Sequence, residues 1–385
     1  MTSRESRLLT IAAAMTFMSY IAQFMRNPII PLYAEDQGVS VAETGLVSSA
    51  FMIAASIPAI PLGLVSDRLG RRRLILLGLV LTTVSSFFFP LVKNLGLLLA
   101  VNALAGLGSA AYSPSMTAFV GDISTGGRVG RNLGIYTTAM QVAMSLGPAI
   151  GGAIGDFAGY EMVFMASGVM ASIGVIIAVL TIPKSESEDS HRRGWSLNVD
   201  STISSCWIAT IAMSFLWGLS ASYLPLFGRD LGFSALEIGL MFGCQSISNA
   251  LGRVPLGRLS ERFEKPHLLL VVGLGLGTLV TATVTLQNSL AVIMALMAGY
   301  GLAIGIVTLI STMTVSKNLP RESRGIGMGV YYTSFYGGMA LSPATMGQVI
   351  ASTSYQTGFS ITSIAGAAGI TVLAFAWTRS RRRSV

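Results

Sequence analysis

Charge is what this sequence has least of. Asp, Glu, Lys and Arg make up 11% of its 385 residues, against 52% apolar. Soluble domains carry about 25% charged residues. So few charges cannot cover a water-facing surface, which excludes a soluble enzyme, a disordered chain and, despite the net charge of +8, a nucleic-acid binder. Cysteine is nearly absent too. Cys206 and Cys244 cannot make a disulfide framework and lack metal-ligand spacing. His191 and His267 both sit beside basic loops, which argues against a histidine metal site or catalytic dyad. All 17 Asp and Glu fall in loops or near the ends of apolar stretches. A membrane enzyme is therefore left without a catalytic constellation. No metal, cofactor or nucleic-acid partner is expected.

What is present is length of apolar chain. A helix needs about 20 apolar residues to cross about 30 Å of hydrocarbon. Twelve stretches qualify, at 8–33, 41–66, 73–92, 95–121, 130–155, 160–182, 202–228, 235–259, 267–286, 289–315, 325–351 and 356–378. The first is too long for a signal-peptide core of about 7–15 residues. Residues 183–200 form the one long polar interruption. The expected organisation is a six-helix bundle over 1–182, a cytoplasmic linker over 183–200 and a second six-helix bundle over 201–385. Basic residues set the orientation. With the N-terminus cytoplasmic, 21 of the 25 Lys and Arg fall on the cytoplasmic side, Lys93 and Arg229 on the other, and Arg26 and Arg253 within spans. Both termini are thus expected in the cytoplasm, with the chain in the plasma (inner) membrane.

The halves repeat with an offset of about 194–195. Asp36, Gly38, Ser40, Glu43, Gly45 and Leu46 match Asp230, Gly232, Ser234, Glu237, Gly239 and Leu240. In the fifth and eleventh spans Gly134, Tyr136, Met144, Pro148 and Gly152 match Gly329, Tyr331, Met339, Pro343 and Gly347. A six-helix unit used twice in parallel is the pattern of a rocking transporter with its site at the repeat interface.

The segment Gly63-Leu-Val-Ser-Asp67-Arg68-Leu-Gly70-Arg71-Arg72-Arg73 resembles the cytoplasmic loop motif of the major facilitator superfamily. The resemblance covers nearly the whole chain. It implies an all-α membrane protein of 12 transmembrane helices in two parallel-repeat bundles. It also implies a conformational latch. Asp67 would face the positive N-terminus of the eleventh helix, and Arg71 would pair with Asp122. Glu261 and Arg262 are a degraded copy in the second half. The run Gly134, Ala143, Gly147, Pro148, Gly151, Gly152 resembles the fifth-helix motif of the drug and proton antiporter branch. Small residues at such intervals allow close helix packing, and proline bends the helix. Span four is similar to a family helix that usually carries arginine where Asn102 stands here.

An intramembrane charge is costly and usually functional, so Arg26 and Arg253 stand out. Arg26 lies about 27 Å along the first span at 1.5 Å per residue. It is expected at the outer mouth of a cavity, either attracting anions or snorkelling to the interface. Arg253 follows Asn249 by one turn. Further candidate cavity residues are Gln23, Asn102, Tyr112, Tyr136, Gln141, Trp217, Tyr223, Gln245, Tyr331, Tyr332 and Tyr336. Together they suggest an uncharged, aromatic, hydrogen-bonding site for amphipathic solutes. The function expected is alternating-access transport of a small organic solute, favouring efflux of drug-like compounds. The alternative is an organic-anion or sugar carrier using Arg26 or Arg253. The expected setting is a monomer in the lipid bilayer, with protons a candidate coupling ion.

Overall fold

The structure is a computed structural model that describes residues 3–58, 61–62, 70–124, 128–183, 201–262, 266–319 and 324–381. The linker expected over 183–200 lies, past Pro183, outside the described residues. The described chain is helical. Its helices are α1 (Ser3–Arg26), α2 (Ile29–Asp36), α3 (Val41–Ser56), α4 (Arg71–Phe88), α5 (Leu95–Asp122), α6 (Val129–Ala158) and α7 (Tyr160–Thr181). They continue with α8 (Ser201–Asp230), α9 (Ala235–Arg262), α10 (Pro266–Val284), α11 (Leu290–Asn318), α12 (Arg324–Ser352) and α13 (Tyr355–Arg381). A 3₁₀ turn, Phe89–Leu91, follows α4.

The predicted spans fall on these helices with one local difference, although residues 59–60 and 63–66 of the second span lie outside the described residues. The first apolar stretch is two helices, because the chain breaks after Arg26 and restarts behind Pro28. Proline lacks an N–H and suits the start of a helix better than its interior. The repeat shows in the turns. Gly38 and Gly232 adopt φ 78° and 84°, a region that favours glycine. Each is followed by a capping box. Ser40 N donates to Glu43 Oε2 at 3.0 Å, and Ser234 N donates to Glu237 Oε2 at 2.8 Å. Gly159, at φ 86°, separates α6 from α7.

Eight helices among the described residues are long and apolar enough to cross a membrane. The longer helices below that standard are α6, α9 and α12, and α3 is a shorter apolar helix. These four are two repeat-related pairs, α3 with α9 and α6 with α12. A helix facing lipid must be apolar there, whereas one packed among other helices can carry glycine and polar groups. Among the described residues α3 falls short of that standard by length alone, and α6, α9 and α12 by their glycine and polar content.

The chain divides into two compact units: residues 1–39, 50–191 and 234–243, and residues 40–49, 192–233 and 244–385. The first half of α3 thus belongs to the second unit, and the first third of α9 to the first. In the first unit α1 packs on α6 and α7, and α4 on α5 and α7. Its core includes Met15, Ile75, Leu79, Tyr112, Met116 and Phe119. In the second unit α8 packs on α12 and α13, and α10 on α11 and α13.

Candidate functional site

Arg26 is the last residue of α1, and the sequence put it at an open mouth. It is instead 2% exposed, inside the first unit. Its Nη1 donates to Ser85 Oγ at 3.2 Å and Ser86 Oγ at 2.9 Å. Its guanidinium carbon lies 5.8 Å from the centre of the Phe89 ring. Ser86 also meets Ser167, which donates to the Ala22 carbonyl at 2.6 Å. The arginine joins α1 to α4 at the point where the first span breaks. Its side chain turns inward because two hydroxyls and a ring there replace the water it would otherwise seek.

The other first-unit candidates are also interior groups. Asn102, Tyr112, Tyr136 and Gln141 are all buried, and Gln23 is half-buried. Tyr112 meets Thr16 at 3.3 Å, and Thr117 donates to Tyr136 Oη at 3.3 Å. One acid is buried as well. Glu5 is 3% exposed and accepts from Asn132 Nδ2 at 3.0 Å, with Arg128 at 3.6 Å. Its position near the N-terminus gave no sign of that burial, which depends on Asn132 from α6.

Of the latch residues, Gly63, Asp67 and Arg68 lie outside the described residues, as do the side chains of Glu261 and Arg262. Gly70 has φ 86° and precedes α4. Arg71 Nε lies 3.2 Å from Asp122 Oδ2.

The small-residue run of α6 presents two faces. At Gly147 and Gly151 an added Cβ would strike Phe24 and Met25 of α1. At Gly152 it would strike the Ala235 carbonyl, and Gly239 is similarly tight against the carbonyl of Pro148. Gly134 has open space beside it, so this end of the run makes no close contact. Beside Gly152, Asp156 accepts from Ala235 N at 2.7 Å and Leu236 N at 2.8 Å. These are the first two amides of α9, which have no acceptor within the helix. The sequence placed Asp156, like every Asp and Glu, only in a loop or near the end of an apolar stretch. The second unit has a related arrangement without the carboxylate. Gly45 is tight against the Pro343 carbonyl, Tyr223 donates to that carbonyl at 3.0 Å, and Ser49 donates to the Ala340 carbonyl at 2.6 Å.

Polar and aromatic candidates come together in the second unit. Gln245, Asn249 and Arg253 are four residues apart, so they line one stripe of α9. Arg253 Nε donates to Asn249 Oδ1 at 3.1 Å, and the guanidinium is within electrostatic reach of Tyr331 and Tyr332. Gln245 is 4% exposed, and its Nε2 has no partner among the described residues. From α12, Tyr331 meets Tyr332 at 5.3 Å and Phe335 at 6.5 Å between ring centres. Phe335 in turn meets Tyr336 at 5.4 Å and Trp217 of α8 at 5.5 Å. Phe335 is the ring that links these contacts. Sequence reasoning passed over it for want of a polar atom, although its spacing of four from Tyr331 was a usable signal. Among the described residues no cluster of three or more His, Cys, Asp or Glu could hold a metal ion.

Comparison with known proteins agrees with this architecture. The family model described as Major Facilitator Superfamily matches residues 12–204 and 206–385. An uncharacterized MFS-type transporter of Methanocaldococcus jannaschii is 23% identical over 345 residues, covering 86% of this chain and 88% of the relative. Multidrug resistance protein 1 of Bacillus subtilis is 25% identical over 345 residues, covering 86% and 87%. A solved POT family transporter in complex with a thioalcohol-conjugated peptide superposes with a TM-score of 0.81 at 13% identity, covering 97% and 96%.

Proposed function

Because the chain belongs to the Major Facilitator Superfamily, and is a multi-pass membrane transporter of a small solute and not an enzyme, we propose that it exports amphipathic organic compounds by alternating access. The observation that carries this reading is the packed Gly147-Pro148-x-x-Gly151-Gly152 stretch of α6. It resembles the antiporter-type motif, and a relative named for multidrug resistance spans 86% of the chain. The basic loops support cytoplasmic termini and an inner-membrane location. Protons are the proposed coupling ion, and the monomer the proposed working state. The domain boundaries at 182 and 201 are proposed with them.

Everted membrane vesicles test the proposal. Energised vesicles holding the protein should accumulate a fluorescent amphiphile, and a protonophore should collapse the gradient. Accumulation equal to that of vesicles lacking the protein would remove efflux from consideration. The second reading, an organic-anion carrier, is favoured by one observation: the Arg253 guanidinium is held by Asn249, within electrostatic reach of Tyr331 and Tyr332.

A further inference from the structure

The internal repeat acts as a control on which residues the fold requires. Pro61 and Gly63 match Pro255 and Gly257, so the register of α3 and α9 is secure. In that register Gln245, Asn249 and Arg253 stand opposite Phe51, Ala55 and Ala59. Likewise Tyr332 and Phe335 stand opposite Thr137 and Met140. Phe51 and Ala55 serve α3 without a polar stripe, and Thr137 and Met140 serve α6 without the added rings; Ala59 lies outside the described residues. Packing therefore does not explain them.

Charge balance gives the second argument. A guanidinium carries five N–H donors, and a charge in a membrane helix needs a partner or water. Arg253 donates to Asn249. Among the described residues no carboxylate pairs with it. It is half-buried, unlike Arg26, which is enclosed. Within its electrostatic reach Tyr332 is 49% exposed, and Phe335, Tyr336 and Trp217 of the same aromatic cluster are half-buried. Phenols and a guanidinium on an accessible surface do not suit lipid tails. They suit a ligand with a flat ring and a negative end.

We infer that the second unit holds a recognition site for an aromatic carboxylate. Arg253, oriented by Asn249, takes the carboxylate, and Tyr332, Phe335 and Trp217 form the wall for the ring. This rests on the transport reading and names a substrate class for it. While the solute is bound, the carboxylate and the arginine neutralise one another, which lowers the cost of either charge in the low-dielectric region.

The test uses the full chain in lipid nanodiscs and three probes: 2-naphthoate, 2-naphthamide and 2-naphthylmethylammonium. Naphthoate should bind at least ~10-fold more tightly than the amide, and the ammonium should bind weakest. Arg253→Gln should weaken naphthoate ~10–100-fold, the range for a hydrogen bond to a charged group, and leave the amide little changed. Asn249→Asp sets a carboxylate within reach of the guanidinium. It should abolish the preference for naphthoate in a protein that keeps both helices, and it decides the matter if Arg253→Gln does not fold. Phe335→Ala should weaken naphthoate and amide alike, several-fold, preserving their ratio. Loss on Arg253→Gln with no effect of Phe335→Ala would mean a bare anion or lipid-phosphate site and would overturn the aromatic assignment. Equal binding of naphthoate and naphthamide, or naphthoate binding untouched by both Arg253→Gln and Asn249→Asp, would overturn the site. Flux separates the two readings. Binding in the expected pattern without flux would leave the site standing and defeat the transport reading for this class. Export of other amphiphiles with no naphthoate binding would do the reverse.

Discussion

Removing the Asp156 carboxylate should expose the start of α9. Its two oxygens take the amides of Ala235 and Leu236 at 2.7 and 2.8 Å, and Ser234 Oγ takes the amide of Glu237 at 3.2 Å. The first amides of a helix have no acceptor inside it, so the protection of residues 235 and 236 rests on Asp156. Losing a side-chain cap costs about 0.5–2 kcal/mol, and losing a negative charge at a helix N-terminus costs about 0.3–1 kcal/mol more. Asp156 is exposed, so the low end of the second range applies. Asp156→Ala should therefore cost about 1–2 kcal/mol locally, or ~5–30-fold in the opening equilibrium. Hydrogen exchange read by mass spectrometry on a peptide covering residues 231–243 measures this directly. Deuterium uptake should rise there and remain unchanged at residues 40–49, where the Ser40–Glu43 box caps α3 without such a carboxylate. Asp156→Asn retains one acceptor oxygen but no charge, and should fall between wild type and alanine. Uptake over 231–243 that matches wild type in the alanine variant would refute the reasoning.

Three further outcomes follow from the packing. Gly151→Leu forces a side chain into the carbonyl of Met25; overpacking costs about 1–3 kcal/mol, and thermal unfolding in detergent should begin at a lower temperature. Arg26→Met loses two hydrogen bonds to serine but also relieves a buried charge with no carboxylate beside it among the described residues. These effects oppose each other, so the melting temperature should move by less than about 5 °C, and the preference for naphthoate over naphthamide should stay at the wild-type value. Arg71→Gln breaks a pair whose side chains are 22% and 58% exposed; such surface pairs contribute about 0–1 kcal/mol, so stability should hold within that range on chemical unfolding.

The spans were legible because lipid leaves the backbone few options. A crossing segment must satisfy its own N–H and C=O groups, so it is a helix of about 20 apolar residues. Composition alone exposes such a segment. The turns were legible where glycine is needed, as at Gly38 and Gly232. The break between Arg26 and Ile29 was less so, because a proline in a membrane helix can kink it or end it. Side-chain direction was hardest to read. Arg26 turns inward because Ser85 and Ser86 lie 59 and 60 residues away in the chain yet adjacent in space. Glu5 is buried because Asn132, 127 residues on, faces it. Asp156 finds its partners 79 and 80 residues later. None of these pairings leaves a periodic trace.

Duplication supplies what periodicity cannot. Where the two halves agree, as at Pro148 with Pro343 and Gly152 with Gly347, the shared geometry of the helices accounts for the residue. Both prolines offer a carbonyl to a glycine of the helix packed beside them, Gly239 and Gly45 respectively. Where the halves differ, the fold is common and the difference needs another cause. Two of the polar differences bear most directly on this. Asp156 stands opposite Ala351 and caps α9. Arg253 stands opposite Ala59 and is held by Asn249 within electrostatic reach of two tyrosines. A symmetric machine binding a symmetric ligand would need neither. The cap makes one helix start more firmly fixed than its counterpart, and Arg253 gives the second unit a half-buried charge, whereas Arg26 of the first is enclosed by Ser85, Ser86 and Phe89.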